Sequence, residues 1–346
     1  MPTLTAPATT TADLPRALRY VSDADDGYTR EPSGEGFVLR RPGGGAVRDR
    51  DVLARVEALA IPPQWREVWV CAEPDGYLQC TGRDGRGRKQ YIYHEEYVAY
   101  RQRAKFEKLV GFAEALPELR EAVEAQLRRR TWDRERLLAL TIRLLDRAHL
   151  RIGSARYEAE NDTYGLTTLR RRHVDDDGDA LRLCFTGKSG TFRRVTIRNR
   201  RLRRLVREVA DLPGYRLFHY RDERGRPADL DSGDVNDYLH RHMGERYSAK
   251  DFRTWGGTSF AVRFYPEALA AHAEAGGRGR LATGLVRRVA RELGNTVSVC
   301  REYYIHPAVL AAAAARELPG EAWPDDEDAT ALAGYERFTL DLIRGA

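Results

Sequence analysis

Four side chains in this sequence are suited to phosphate chemistry: an arginine closing an apolar stretch, a lysine between glycines, a second arginine among aromatic residues, and a tyrosine followed closely by a proline. Taken singly, each is ambiguous. Arg151 opens Arg151-Ile152-Gly153-Ser154, which runs on to Tyr157 and Asn161-Asp162-Thr163-Tyr164-Gly165-Leu166. A guanidinium at a helix end can fork two N–H groups onto a phosphate, or simply satisfy the last helical carbonyls. Lys188 lies in Thr186-Gly187-Lys188-Ser189-Gly190, which invites comparison with a nucleotide-binding loop. That motif needs a glycine where Arg182 stands and a helix where a strand is expected, so nucleotide binding is excluded. A lysine at a hairpin tip can instead reach a DNA groove and donate a proton, or be an ordinary exposed turn residue. Lys250-Asp251-Phe252-Arg253-Thr254-Trp255-Gly256-Gly257-Thr258 could grip a backbone phosphate or form a surface helix pinned by Trp255. Gly294-Asn295 and Tyr303-Tyr304-Ile305-His306-Pro307 complete the set, and a tyrosine in such a setting is ordinarily structural.

The order of these segments changes their meaning. Arginine, hairpin lysine, arginine, then a hydrogen-bond donor nine residues before a tyrosine make a set for phosphoryl transfer without a metal. In-line attack on a phosphodiester puts negative charge on the equatorial oxygens, which two guanidiniums can neutralise. The departing 5′ oxygen is a poor leaving group unless protonated. Lys188 can titrate and so can supply that proton, whereas arginine essentially cannot. Tyr304 would be a nucleophile whose phosphodiester product stores the energy of the broken bond.

The elements that must position these residues fall into two regions. Gly36–Arg40, Val68–Cys71, Tyr77–Cys80 and Gln90–Tyr93 are short β-prone runs separated by turn residues, with Asp51–Leu59 a helix candidate among them. From about His94 the apolar period becomes helical, over His94–Leu116, Leu119–Arg130 and Asp133–Leu150. Ala180–Thr186 and Thr191–Ile197 predict a hairpin carrying Lys188 at its tip. Helices are then expected over Asp234–Met243, Lys250–Tyr265, Pro266–Ala275, Gly284–Leu293, Val297–Tyr304, Ala308–Arg316 and Thr330–Ile343. The fold class is therefore α+β: a small β-rich N-terminal domain over 14–100 and a larger, mainly α-helical catalytic domain over 101–346 that carries a small β hairpin. Residues 1–13 are expected to be a disordered leader, and the acidic stretch from Pro324 to Asp328 a solvated loop.

Composition sets the outer bounds. The 346 residues suffice for two domains, and no apolar run reaches the roughly 18 residues that a membrane helix needs. The net charge of +6 points weakly to a polyanionic partner. Lysine occurs only at 89, 105, 108, 188 and 250, so nearly all the positive charge is arginine. Genomic base composition accounts for that bias, yet where lysine survives it marks positions that need an accessible pKa. Cys71, Cys80, Cys184 and Cys300 are scattered without a CxxC pair, as in a reducing compartment. Cys71 and Cys80 could meet across a hairpin, although free buried thiols are expected. No Walker motif and no carboxylate cluster for Mg²⁺ is evident.

Read as a whole, the sequence resembles the type IB DNA topoisomerases, specifically the compact poxvirus-like enzymes of bacteria, from about residue 35 to 318. The resemblance rests on RIGSxxYxxxNxTYGLxTL at 151–169, TGKSG at 186–190, KDFRTWGGT at 250–258 and YIHP at 304–307. IPPQW at 61–65 and TGRDGRGRKQYIYH at 81–94 resemble the family's DNA-clamping domain. It implies that Arg151 and Arg253 clamp the scissile phosphate, that Lys188 is the general acid, and that Tyr304 forms a 3′-phosphotyrosyl linkage. It selects Tyr304 over Tyr303, because the family's nucleophile is followed by a two-residue spacer and proline. Lys250 and Tyr157 take phosphate-supporting positions, and Lys89, Gln90, Tyr91 and Tyr93 fall where the N-terminal domain approaches DNA. The implied activity is relaxation of supercoiled DNA without ATP, metal or other cofactor. The implied partner is double-stranded DNA, held by a monomer that closes as a C-shaped clamp, with no membrane association and a cytoplasmic, nucleoid-associated location. Arginine-rich surfaces at 170–172 and 198–207 would hold phosphates near the cut, part of that surplus pairing with nearby Glu and Asp. One position departs from the family: Asn295 stands where histidine is usual, able to donate a hydrogen bond but not to become cationic. A tyrosine recombinase, or a non-catalytic DNA-binding protein on the same scaffold, is the alternative reading.

Overall fold

A computed structural model describes residues 14–34, 36–222, 224–324 and 328–346. The leader expected over 1–13 and the centre of the acidic loop lie outside the described residues. The chain forms two compact units that divide between Lys105 and Phe106.

The first unit is built on β1 (Gly27–Ser33), β2 (Gly36–Arg40), α1 (Arg50–Ala58), β3 (Arg66–Cys71), β4 (Leu78–Arg83) and β5 (Lys89–Tyr93). The strands form one antiparallel sheet in the order β2-β1-β3-β4-β5. Side chains alternate across a strand, and here both faces are covered. Val68, Val70 and Cys80 pack with Leu39 and Val47 on one face, while Trp69, Cys71 and Tyr77 pack with Val21 and Tyr97 on the other. That alternation is why Cys71 and Cys80 stay free thiols: they belong to opposite faces. β1 escaped the sequence reading because Gly27-Tyr-Thr-Arg-Glu-Pro-Ser is mostly exposed and lacks an apolar alternation. It also explains the IPPQW segment. Arg30 on β1 donates to the carbonyls of Ile61 at 3.1 Å, Pro62 at 3.0 Å and Trp65 at 2.9 Å, pinning that loop to the sheet.

The second unit is mainly helical. Helix α2 (Glu95–Leu127) spans the junction, and α3 (Arg134–Ala148) follows it. The two helices expected on either side of Pro117 are one continuous helix. A proline inside a helix costs about 3 kcal/mol. The stripe Leu109, Phe112, Leu116, Leu119, Val123 and Leu127 keeps its phase across it, every member buried, and each such side chain contributes about 1.5–3 kcal/mol. α3 is capped by the Asp133 carboxylate, which accepts the Arg136 N–H at 2.9 Å.

After α4 (Ala155–Asn161) come β6 (Val174–Asp176), β7 (Leu181–Thr186) and β8 (Phe192–Ile197), one three-stranded antiparallel sheet. Then follow α5 (Arg200–Ala210), the short pair β9 (His219–Arg221) and β10 (Pro227–Asp229), and α6 (Ser232–Met243). The chain ends with α7 (Ala249–Arg263), α8 (Tyr265–Glu274), α9 (Leu281–Leu293), α10 (Val297–Tyr303), α11 (Pro307–Ala315) and α12 (Gly334–Arg344). α7 is the centre of this unit. It touches α3, α6, α8, α9, α11 and α12, and from Ala249 to Val262 every residue but Lys250 is buried. Trp255 is therefore a core residue, which rules out the surface-helix reading of that segment.

A buried ion cluster holds the unit together from behind. Arg120 on α2 donates to Asp146 on α3 and to Glu336 on α12, each at 2.8 Å, and to the Ala331 carbonyl at 2.7 Å. Trp255 Nε1 donates to the same Glu336 carboxylate at 3.1 Å. The arginines of 170–172 and 198–207 are less available than their number suggests. Arg170 pairs with Glu158 at 2.8 Å, Arg207 with Asp176 at 2.5 Å, Arg201 with Glu124, and Arg203 with the carbonyls of Gly178 and Asp179.

Candidate active site

Backbone geometry at four helix and strand ends brings the predicted residues together. α3 stops where His149 adopts a left-handed conformation (φ 46°, ψ 38°), and the chain turns at once to Arg151. The Arg151 carbonyl accepts the Leu166 N–H at 2.8 Å and the Ile152 carbonyl accepts the Thr167 N–H at 2.7 Å. These two segments meet through glycine: a Cβ on Gly165 would lie 2.5 Å from the Gly153 Cα. The long motif beginning at Arg151 is thus two strands of chain locked back to back, with the arginine at their head. Lys188 occupies the exposed turn between β7 and β8, closed by the Gly187 N–H donating to the Thr191 carbonyl at 2.8 Å.

Arg253 comes from the first turns of the buried α7 and is only 4% exposed. Asn295 follows α9, whose end is turned by Gly294 at φ 62°. Tyr304 closes α10 and is fixed from behind. A Cβ on Gly257 would stand 2.3 Å from the Tyr304 carbonyl oxygen and 2.8 Å from its Cβ, so α7 touches the tyrosine's own backbone. The Thr258 hydroxyl lies 3.2 Å from the same carbonyl and accepts the His306 N–H at 3.2 Å. Ile305 is 1% exposed, the His306 ring accepts the Ala308 N–H at 3.1 Å as the cap of α11, and Pro307 opens that helix. His306 therefore serves the fold.

The side chains form one network. Asn295 Oδ1 accepts from Arg151 Nη2 at 2.6 Å and from Arg253 Nη2 at 3.1 Å. Arg253 also donates to the His149 carbonyl at 2.6 Å and the Leu293 carbonyl at 2.9 Å, and its guanidinium carbon lies 5.3 Å from the centre of the Tyr304 ring. Because two guanidiniums point at Oδ1, the amide orientation of Asn295 is set, and its Nδ2 is left buried without a protein partner. Arg253 Nε is in the same condition. Two buried donors without acceptors, in one network of cations, make a site that an anion would satisfy.

Electrostatics separate the two neighbouring tyrosines. Burial alone pushes the Tyr304 phenol up, but the guanidiniums of Arg253 and Arg151, a hydrogen bond from Arg253 and the Lys250 ammonium bring it below the ordinary tyrosine value. Tyr303 moves the other way, to about 12, through burial and the adjacent Glu302 carboxylate. Arg151 is held at about 10 by burial and by Arg253. Lys188 is open to solvent on one side, yet the protein mass behind it and the Arg151 guanidinium lower its pKa. These are the directions that phosphoryl transfer by a phenolate and an ammonium acid requires.

Arg151, Lys188, Arg253, Asn295 and Tyr304 thus share one neighbourhood, with Lys250 exposed in the first turn of α7 close enough to act on both Tyr304 and Lys188. Tyr157 is exposed on α4. In the first unit, Lys89 pairs with Asp23 at 2.5 Å, and Gln90 donates to Asp84 at 2.9 Å. Tyr91 and Tyr93 stack on each other with ring centres 6.0 Å apart, Tyr93 reaching on to Tyr77 and Tyr97. Gln90 points to the sheet face opposite these tyrosines. The sequence reading missed His149 and Arg193 and gave Thr258, inside the KDFRTWGGT motif, no role of its own; all three act through backbone contacts. Gly256-Gly257 was the available clue, since paired glycines inside a helix mark close approach.

Comparison with known proteins agrees with this architecture. Residues 94–316 match the eukaryotic DNA topoisomerase I catalytic core, and residues 36–84 match the bacterial DNA topoisomerase IB N-terminal domain. The DNA topoisomerase 1B of Acanthamoeba polyphaga mimivirus is 31% identical over 242 residues, 69% of this chain and 72% of that protein. The DNA topoisomerase 1B of vaccinia virus (strain Copenhagen) is 23% identical over 234 residues, 66% of this chain and 70% of that protein. Among solved structures, the XerH site-specific recombinase bound to difH aligns with a TM-score of 0.36 at 16% identity, over 57% of this chain and 50% of that one. The sequence matches alone define an enzyme that changes DNA topology. The chain belongs to the type IB DNA topoisomerases.

Proposed function

We propose that the network around Asn295 is the cleavage site and that Tyr304 is its nucleophile. The Tyr304 phenol gives up its proton to solvent and its oxygen attacks the scissile phosphorus. The P–O5′ bond breaks, the 5′ oxygen takes a proton from Lys188, and a 3′-phosphotyrosyl bond holds the cut end. Religation reverses each step, with the 5′ hydroxyl returning its proton to Lys188. Arg151 and Arg253 neutralise the non-bridging oxygens, the charge compensation a metal ion would otherwise provide, and Asn295 Nδ2 donates one further hydrogen bond. No ATP is needed, because the phosphotyrosine conserves the bond energy and the torsion already stored in the DNA drives rotation. The observation that carries this reading is geometric: Asn295 Oδ1 accepts from both Arg151 and Arg253, and the Arg253 guanidinium lies 5.3 Å from the centre of the Tyr304 ring.

Lys250 and Tyr157 would steady the flanking phosphates, and Lys89, Gln90, Tyr91 and Tyr93 would meet the duplex from the first unit. One copy would close around the DNA as a clamp, in the cytoplasm on the nucleoid. Among the described residues no helix is long and apolar enough to cross a membrane. Binding through many phosphates would weaken steeply as salt rises. The test is relaxation of a plasmid that carries no special site, by the protein alone, without ATP or Mg²⁺. Wild-type protein should relax it and Tyr304→Phe should not. A requirement for paired specific sites would support a recombinase instead, and relaxation by Tyr304→Phe would overturn the proposed chemistry.

A further inference from the structure

Arg193 on β8 touches both halves of the site without belonging to either. Its Nη2 donates to the Glu292 carbonyl at 2.7 Å and its Nη1 to the Arg291 carbonyl at 3.3 Å, which also accepts the Gly294 N–H at 3.3 Å, both in the last turn of α9. A Cβ on Gly294 would fall 2.0 Å from Nη1 and 2.5 Å from Cζ, so the guanidinium lies directly against the glycine that precedes Asn295. At its other end the side chain packs on the residue before Lys188, where a Cβ on Gly187 would meet the Arg193 Cγ at 3.2 Å. One arginine therefore spans from Gly187-Lys188 to Gly294-Asn295.

The two ends of this span differ in stiffness. Asn295 is held by Arg151 and Arg253, and its own N–H donates to the Ala290 carbonyl at 2.9 Å. The Lys188 turn is exposed through Gly190 and includes Ser189 in a left-handed conformation at φ 64°. A connection between a fixed end and a loose end positions the loose one. We propose that Arg193 is a positioning residue that anchors the hairpin carrying Lys188 to the end of α9, so that the ammonium reaches the 5′ oxygen of the phosphate held beside Asn295. This rests on the roles given to Lys188 and Tyr304 above.

The test uses single-turnover cleavage of two duplexes that differ in one atom at the scissile phosphate. In one the leaving atom is the normal 5′ oxygen; in the other it is sulfur, which departs as a thiolate and needs no proton because a thiol is far more acidic than an alcohol. Displacing an acid by about an ångström costs on the order of 10- to 100-fold. Arg193→Ala should therefore cleave the oxygen substrate 10- to 100-fold more slowly than wild type and the sulfur substrate within about threefold of it. Arg193→Lys, which can reach one carbonyl but not two, should fall between them and serves as the readout if the alanine variant does not fold. Equal slowing on both substrates would place Arg193 in phosphate binding or in the fold and overturn the proposal, as would full activity on the oxygen substrate. Lys188→Ala is the control for the underlying reading. If sulfur does not rescue Lys188→Ala, the general-acid assignment fails, whatever Arg193 does.

Discussion

A single methyl group at position 257 should slow DNA cleavage far more than it destabilises the fold. Gly257 lies on the buried face of α7, where an added Cβ would stand 2.3 Å from the Tyr304 carbonyl oxygen, against an ordinary contact that begins near 3.4 Å. Gly257→Ala must therefore separate α7 from the Tyr304 backbone by about 1 Å. Overpacking of this kind costs typically 1–3 kcal/mol, which a domain stabilised by about 5–15 kcal/mol survives. The nucleophile, however, moves by the same ångström relative to Arg253, which sits one turn earlier on the same helix, and such a misplacement costs about 100-fold in rate. The assay is single-turnover cleavage of a short duplex whose downstream, 5′-hydroxyl-ended fragment dissociates after the cut, run beside thermal melting of both proteins. Gly284→Ala, on the exposed side of α9 with nothing within 4 Å of the added Cβ, is the matched control and should leave the rate unchanged. A folded Gly257→Ala protein that cleaves within about threefold of wild type would refute the claim that this contact sets the position of the attacking oxygen.

Further outcomes follow from the same geometry. Asn295→Ala removes the unpartnered donor and the shared acceptor of both guanidiniums, and cleavage should fall about 100-fold or more. Because an amide does not titrate, the wild-type pH–rate profile should show no histidine-like step near pH 6–7 from this position; a variant altered only in apparent pKa and not in rate would contradict the donor role. Glu336→Ala leaves Arg120 buried beside Asp146 without its second carboxylate, and urea denaturation should show a loss of about 3–5 kcal/mol. Acid should destabilise the protein in two windows. Burial holds His149 at about 4, so it is neutral in the native state; its contribution is complete above the unfolded histidine value near 6.5 and is lost as pH falls toward 4. Burial opposes ionisation of Asp146, but Arg120 holds it at about 2, so its contribution is present above the unfolded carboxylate value near 3.9 and is lost as pH falls toward 2. Urea midpoints measured from pH 7 to 3 should fall in both windows, and His149→Phe should flatten the upper one alone.

The parts of this molecule legible in the sequence are those written in local periodicity or in side-chain type. The apolar stripe of α3, the short β-prone run of β3 and the arginine–lysine–arginine–tyrosine order are all legible in the sequence. What could not be read depends on contacts between distant segments. Pro117 looks like a helix end until the stripes on both sides prove continuous and buried. β1 has almost no apolar pattern because its work is done by the backbone ladder and by Arg30. The arginines of 198–207 look like a phosphate-binding surface, yet Arg201, Arg203 and Arg207 are engaged by Glu124, by the Gly178 and Asp179 carbonyls and by Asp176. At the site, the identity of Asn295 was visible but its double acceptor role was not, since that needs Arg151 and Arg253 to arrive from two other elements.

The central claim is that Tyr304, and not its neighbour, bonds to DNA. The most direct measurement traps the covalent complex with denaturant, digests protein and DNA, and locates the nucleotide-bearing tyrosine by mass spectrometry. The account predicts the adduct on Tyr304 in the wild-type protein, an undiminished adduct in Tyr303→Phe, and none in Tyr304→Phe. An adduct on Tyr303, or one that persists in Tyr304→Phe, would contradict it.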